Sequence, residues 1–239
     1  MNKKKETKYK RVLIKISGES FSGVQSIDLQ SKTVKMLTAQ LKSLRDYNVQ
    51  ISIIIGGGNI WRGSFTKELN RVTSDYMGML ATMINALALQ SALENNNIPT
   101  RVQSAIEMQK LAEPYIRRRA VRHLEKGRVV IFACGTGNPF FTTDTAAVLR
   151  AAETGSEVIL KATKVDGVYS DDPNKNIKAK LFEKISFQEA IVKELKIMDA
   201  TAFSLCREKQ IPVIVFNMGR EDNIVKAIFG EPIGTLIHN

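Results

Sequence analysis

Lys15 interrupts a hydrophobic run, in "LIKISGES", where an ammonium group is costly unless it reaches water or an anion, and Lys161 opens the loop "LKATKVDGVYSDDP", where it could neutralise phosphate charge. A third run ends in "GGGNIWRG". There Gly56, Gly57 and Gly58 present bare backbone N–H groups to an anion, and Arg62 offers a charge-assisted fork. A fourth stretch, "GTGNPFFTTD" at residues 135–144, passes from glycines through an Asn-Pro turn to a hydroxyl-rich helix entry. The N–H groups and dipole of such an entry favour negative charge. Glycine backbone, lysine, arginine and a helix N-terminus are the groups that hold phosphate.

Each stretch also has a plainer reading. Lys15 can snorkel to water at the edge of a core, and Gly18 just past it can serve only a turn. Thr142 or Thr143 can be a simple helix cap, which explains the threonines but not Phe140 and Phe141 in a loop. Those two rings suit the apolar wall of a pocket for a planar base. In the fourth loop Lys161, Thr163, Lys164 and Asp166 precede Tyr169, which can lie against a purine, while Lys164 and Asp171 also fit a solvated turn. Trp61 reads as a packing anchor. Two familiar nucleotide motifs are absent: the glycines from Gly18 are followed by Val24 and Gln25 where a P-loop needs Lys and a hydroxyl, and "GTGNPF" ends in Phe140 where a dinucleotide fingerprint needs glycine.

A scaffold must gather these stretches. Apolar runs at 10–16, 50–55, 101–103, 128–134, 157–160, 211–217 and 234–237 read as strands. Segments of helical period lie at 28–47, 74–94, 114–124, 143–153, 187–195, 199–209 and 221–228. The alternation predicts one α/β domain with a mostly parallel sheet between two layers of helices. Ligands gather at the carboxyl ends of strands in such sheets, and all four chemical stretches follow strands at that end. On the 74–94 helix, Met77, Leu80, Ala81, Ile84, Leu87, Ala88 and Ser91 fall on one face. That face reads as core, with an interface as the alternative.

At 239 residues with 44% hydrophobic content, the chain can bury a core of this size. No continuous run of about 18 apolar residues occurs, and "MNKKKETKYK" lacks an apolar segment behind its charges. A cytoplasmic, membrane-free protein is expected. Cys134, Cys206, His123 and His238 have no metal-ligand or disulfide spacing, so both thiols are expected to be free. The net charge of +11 points to an anionic partner. The basic runs at 3–5 and 117–123 lack interleaved aromatics, which favours small phosphates over nucleic acid and makes "RRRAVRH" a solvated helix face.

Taken together, "KISGE", "GGGN" with "RG", "DYMGMLATMINALA", "GTGNPFFTTD", "LKATKVDGVY" and "MDATAF" resemble the bacterial UMP kinase family of the amino acid kinase superfamily over nearly the whole chain. The resemblance implies the carbamate kinase-like αβα fold, with a UMP-binding part over roughly residues 1–155 and an ATP-binding part over roughly residues 156–239. It implies transfer of the γ-phosphoryl of ATP to UMP, with Mg²⁺ accompanying ATP. By motif, Lys15, Ile16, Ser17, Gly18, Gly58, Arg62, Thr163, Tyr169 and Asp172 would serve ATP. Gly57, Asp75, Thr136, Gly137, Asn138, Pro139, Phe140, Phe141, Thr142 and Thr143 would hold UMP. Asp144 matches a site carboxylate that organises the lysines and metal, and Asp199 in "MDATAF" is a further candidate.

The attacking phosphate is already anionic, so no general base is needed, and Lys15, Lys161 and Arg62 would act by neutralising charge. UTP feedback and a homohexamer are implied in the same way. The stretch "GESFSGVQSID" at 18–28 is shorter than in many members, where it is associated with activation by GTP. Rival readings are an aspartate, glutamate or carbamate kinase of the same superfamily, or a non-catalytic uridine-nucleotide sensor.

Overall fold

A computed structural model describes residues 6–21, 32–62, 68–173, 175–195 and 197–239. The basic tail at 3–5 and most of the shortened stretch, residues 22–28, lie outside the described residues. Strand β1 (Arg11–Ile16) lies at the middle of the sheet. It pairs in parallel with β2 (Gln50–Ile55) on one side and β6 (Val158–Thr163) on the other. Beyond β2 come β5 (Val129–Ala133), β3 (Thr100–Ser104) and the two-residue β4 (Glu113–Pro114). Beyond β6 come β8 (Val213–Asn217), β9 (Thr235–His238) and β7 (Lys184–Ser186), with β8 and β9 antiparallel. Among the described residues this makes nine strands in a mostly parallel mixed sheet.

Helices cover both faces, which is why the central strands are apolar throughout. On one face α1 (Lys32–Leu44), α2 (Arg71–Glu94) and α7 (Asn223–Ile228) pack against Val12, Ile14 and Ile16. On the other, α3 (Arg117–Glu125), α4 (Thr143–Thr154), α5 (Phe187–Val192) and α6 (Ala200–Lys209) share a core with Leu13 and Ile159. Side chains alternate along a strand, so Lys15 falls on the Leu13 face and Lys161 on the Ile159 face, both towards α4.

Several expectations are corrected. β6 runs three residues past its expected end and takes in Lys161. β4 and β7 were not expected; they are two and three residues long, too short to show a period. α2 starts at Arg71, capped by the Asn70 side chain on Val72 N. The face of α2 expected to be core is largely the outer one: Leu80 is 47% and Ile84 48% exposed, while Met79, Met83, Ala86 and Leu89 are buried. Between Met77 and Leu89 the polar side chains are Thr82 and Asn85, and both are buried, so no outward polar face sets the phase there. α2 is also long and apolar enough to cross a membrane by length and composition, with half of that stretch buried against the protein. In "RRRAVRH" the arginines at 117–119 are exposed, but His123 is buried, 2.9 Å from Glu113 and 3.0 Å from Arg128.

Candidate active site

The register of β1 on β6 sets Lys15 opposite Lys161. Two like charges therefore emerge side by side, and Asp144 in the first turn of α4 sits between them. Its Oδ1 lies 3.0 Å from Lys15 Nζ and its Oδ2 2.7 Å from Lys161 Nζ. The three side chains are only 11–17% exposed. Burial alone would raise the Asp144 carboxyl, but the two ammonium groups outweigh it and hold the carboxyl below its ordinary value. Lys161 is pushed down, first by burial and then by the charge of Lys15, with Asp144 offsetting only part. Within the contact cluster two cations share one carboxylate in a water-poor place, with Asp199 adding a weaker negative charge to Lys161 from outside it. Such a cluster attracts a further anion.

Two clefts flank this cluster. One, of about 360 Å³, is lined by Gly57, Gly58, Asp75, Thr136, Phe141, Thr142 and Thr143. Gly57 is required by the approach of α2, because a Cβ there would lie 2.7 Å from Gly78 O. Thr142 caps α4 by accepting from Asp144 N at 3.0 Å, so the cap reading and the cleft reading hold together. Asp75 Oδ2 accepts from Phe140 N at 2.8 Å, and Arg71 Nε donates to both Asp75 oxygens at 3.0 Å. Gly137 takes φ +82° with Ala105 O 2.9 Å from where a Cβ would stand. Gly137, Asn138, Pro139 and Phe140 shape the loop without lining the cleft. Only Phe141 is a cleft wall; Phe140 is 64% exposed and faces Arg71.

The second cleft, of about 760 Å³, is lined by Lys161, Thr163, Gly167, Tyr169, Asp172 and Ile197 among others. Thr163 Oγ1 is spent on the backbone: its one O–H lies between Val165 O at 2.8 Å and Phe216 O at 3.1 Å, and the oxygen accepts from Val165 N at 3.3 Å. Between the clefts runs a rim. Arg62 Nε donates to Gly58 O at 2.9 Å, and its guanidinium pairs with Glu19, whose other oxygen lies 2.8 Å from Lys164 Nζ. Ser17 and Gly18 form the turn beneath Glu19, while Ile16 turns its side chain into the core on the opposite face.

Asp199 stands outside both clefts. It caps α6 through Ala202 N at 2.9 Å, accepts from Thr145 Oγ1 at 2.9 Å and from Thr142 Oγ1, and so ties the starts of α4 and α6 together. Glu19, Arg71, Ser74 and Asn85 were missed in the sequence. Asn85, fully buried in α2, donates to Gly56 O at 2.8 Å and bonds Asn59, fixing the glycine turn. Its signal was available, a lone amide in the apolar "ATMINALAL". Trp61 donates to Ser74 Oγ at 3.1 Å, an anchor that also lines the smaller cleft.

Among the described residues, no group of three His, Cys, Asp or Glu side chains is placed to hold a metal ion. Asp144 Oδ1 is buried and meets only the Lys15 ammonium, 3.0 Å away, so it keeps lone-pair capacity for one further ligand. One spare carboxylate oxygen fits Mg²⁺ that keeps water and phosphate oxygens as its other ligands. It does not fit a metal caged by protein.

A parallel αβα sheet with nucleotide-sized clefts on either side of a buried cationic cluster is the architecture of a phosphoryl-transferring enzyme. Residues 10–217 match the amino acid kinase family, and the chain belongs to that family. Its structure is similar to that of UMP kinase from Bacillus anthracis, at 39% identity and TM-score 0.92 over 96% of each chain. UMP kinase from Ureaplasma parvum is similar at 42% identity and TM-score 0.90, over 96% of this chain and 99% of that one. Uridylate kinase from Archaeoglobus fulgidus is similar at 27% identity and TM-score 0.72, over 95% and 99%.

Proposed function

We propose that the protein is a UMP kinase that moves the γ-phosphoryl group of ATP to UMP, giving UDP and ADP in pyrimidine nucleotide synthesis. The observation that carries this reading is the buried Lys15–Asp144–Lys161 cluster, whose Lys161 lines the larger cleft and whose Asp144 directly follows Thr142 and Thr143 of the smaller one. UMP takes the smaller cleft, with its sugar near Asp75 and its base near Phe141 and the 136–143 loop. ATP takes the larger, with its base near Tyr169 and Asp172 and its phosphates towards Lys15, Gly18, Gly58 and Arg62. The chain then acts as one catalytic unit, with an acceptor part over roughly 1–155 and a donor part over roughly 156–239.

The nucleophile is a UMP phosphate oxygen, anionic at neutral pH, so no side chain must remove a proton. The barrier lies in holding two anions in line and in stabilising the charge on the transferring group. Lys15 and Lys161 supply preorganised positive charge at that point. Asp144 keeps them apart and aligned without water to screen them. Asp144 would help to hold the Mg²⁺ that accompanies ATP, and the ion would supply Lewis-acid neutralisation of phosphate charge.

UTP, sharing the base and sugar of UMP, acts as a feedback inhibitor from the smaller cleft. The exposed α2 residues Val72, Tyr76, Leu80 and Ile84 repeat every fourth position and form an apolar stripe suited to assembly into a homohexamer. The protein works in the cytoplasm on small nucleotides, with neither nucleic acid nor membrane as partner. A coupled assay of ADP release with UMP, CMP, aspartate or carbamate as acceptor tests the reading. Turnover with UMP is expected; ADP release only with a carboxylate or carbamate, or with none of the four, would overturn it.

A further inference from the structure

The outer rim carries a carboxylate that charge neutralisation alone does not call for. Glu19 lies on the 3-10 turn Gly18–Phe21, directly after β1. That turn is fixed from both ends. Phe21 is fully buried, and a Cβ on Gly18 would overlap Gly56 O and Asn59 Oδ1. Glu19 is thus held at the crest of three neighbouring strands, β2, β1 and β6, and reaches the loops that follow the outer two. One oxygen pairs with Arg62, the other lies 2.8 Å from Lys164 Nζ. Arg62 belongs to the loop after β2, beside Gly58 of the smaller cleft, and Lys164 directly follows Thr163 of the larger one. All three side chains are a third or more exposed, so their pairings exchange readily with other ions.

We propose that Glu19 is a positioning residue that competes with nucleotide phosphates for Arg62 and Lys164, so that nucleotide binding is coupled to its release. The inference rests on the reading of the rim as a phosphate site. A tethered carboxylate carries one negative charge at high local concentration. A single-charged small anion gains little by displacing it, whereas a triphosphate brings several charges and two cations' worth of contacts. Glu19 therefore lowers affinity for every phosphate ligand but spares the polyphosphate most, which makes it a filter on ligand charge. It also keeps the two cations preoriented, since each is already drawn towards the crest of β1.

Calorimetric titration of the full-length protein with ATP and with adenosine tests this. In Glu19→Gln, of the same shape without the charge, the Kd for ATP should fall about three- to tenfold, the range expected for freeing partly exposed ion pairs. The Kd for adenosine, which has no phosphate, should stay unchanged. The difference between wild type and variant for ATP should shrink as salt rises from about 0.05 to about 0.5 M. Glu19→Asp, too short to reach both cations, should lie between the two and gives the same reading if Glu19→Gln folds poorly. An ATP Kd that is unchanged or raised in the variants, or an adenosine Kd that moves equally, overturns the proposal. Folded wild-type protein that binds no ATP would instead overturn the function proposed above.

Discussion

Asp144 lies between Lys15 and Lys161 with all three side chains more than four-fifths buried, whereas Glu19 lies between Arg62 and Lys164 with about a third or more of each side chain in water. The charges are alike in number and sign. In the buried cluster each pairing is electrostatically strong, but three charges have been stripped of water, so removing Asp144 strands both ammonium groups. In the exposed cluster water and salt replace a lost partner, and a pairing is worth little. The buried group can therefore hold a fixed field for chemistry, and the exposed one can only trade ions. On the reading proposed above, similar charged groups serve catalysis in one place and ligand exchange in the other because of their depth.

Folding stability is the sharpest way to break that comparison. Asp144→Ala strands two buried ammonium groups and should cost about 3–5 kcal/mol, read as a large fall in melting temperature. Glu19→Gln should cost less than about 1 kcal/mol. Equal losses would mean that depth does not separate the clusters. Acid titration adds a second reading of the same cluster. The Asp144 carboxyl is lower when folded than when unfolded, where the ordinary value is 3.8. Its contribution is therefore fully present above about pH 3.8 and is lost as pH falls from there through the depressed folded value. Asp144→Asn should flatten this part of the stability profile, and an unchanged acid limb would count against a buried ionised carboxylate.

Turnover comes next in size. Lys15→Ala should lower kcat about 10²–10³-fold, the usual cost of losing one preorganised charge or donor at the reacting group. An unaltered kcat would make Lys15 a snorkelling core lysine after all. Asp75→Asn acts in the smaller cleft, away from the cluster, and should raise the KM for UMP about tenfold with kcat little changed. A fall in kcat equal to that of Lys15→Ala would place Asp75 in the chemistry instead of in binding.

The strands could be read from sequence where they are buried on both faces, since continuous runs such as "QISIII" leave few alternatives. Lys15 is legible for a related reason, since a charge in an apolar run has few explanations; Lys161 reads only as a loop cation, and Asp144 is singled out as a site carboxylate by the family resemblance alone. Their meeting was not legible, because it depends on the β1–β6 register across 146 positions of sequence, from Lys15 to Lys161. The phase of α2 was lost because its middle is apolar on most sides and its two polar residues there, Thr82 and Asn85, point inward. Glu19 looked like one surface acid among 24 acidic residues, and its two partners come from loops on strands to either side. The Phe140–Phe141 pair was read as one wall; the positive φ of Phe140 turns its ring out to Arg71 and leaves Phe141 alone on the cleft.

Asp166 offers the smallest effect and extends the exposed half of the comparison. It accepts from Asn217 Nδ2 at 3.0 Å and from Arg220 Nε at 2.9 Å, pinning the loop after β6 to the residues that end β8. That loop runs on through Gly167 to Asp172 along the larger cleft. Its carboxyl is held below the ordinary value first by the Asn217 hydrogen bond and then by Arg220, which outweigh a small cost of burial. The side chain is 30% exposed and Arg220 64%, so water can take over much of what the pair supplies. Asp166→Asn should therefore raise the KM for ATP only about two- to fivefold, leave the KM for UMP and kcat alone, and become invisible at high salt. A loss that persists at high salt, or that reaches kcat, would mean the loop transmits to the buried lysines, and depth alone would no longer divide the charges of this protein by task.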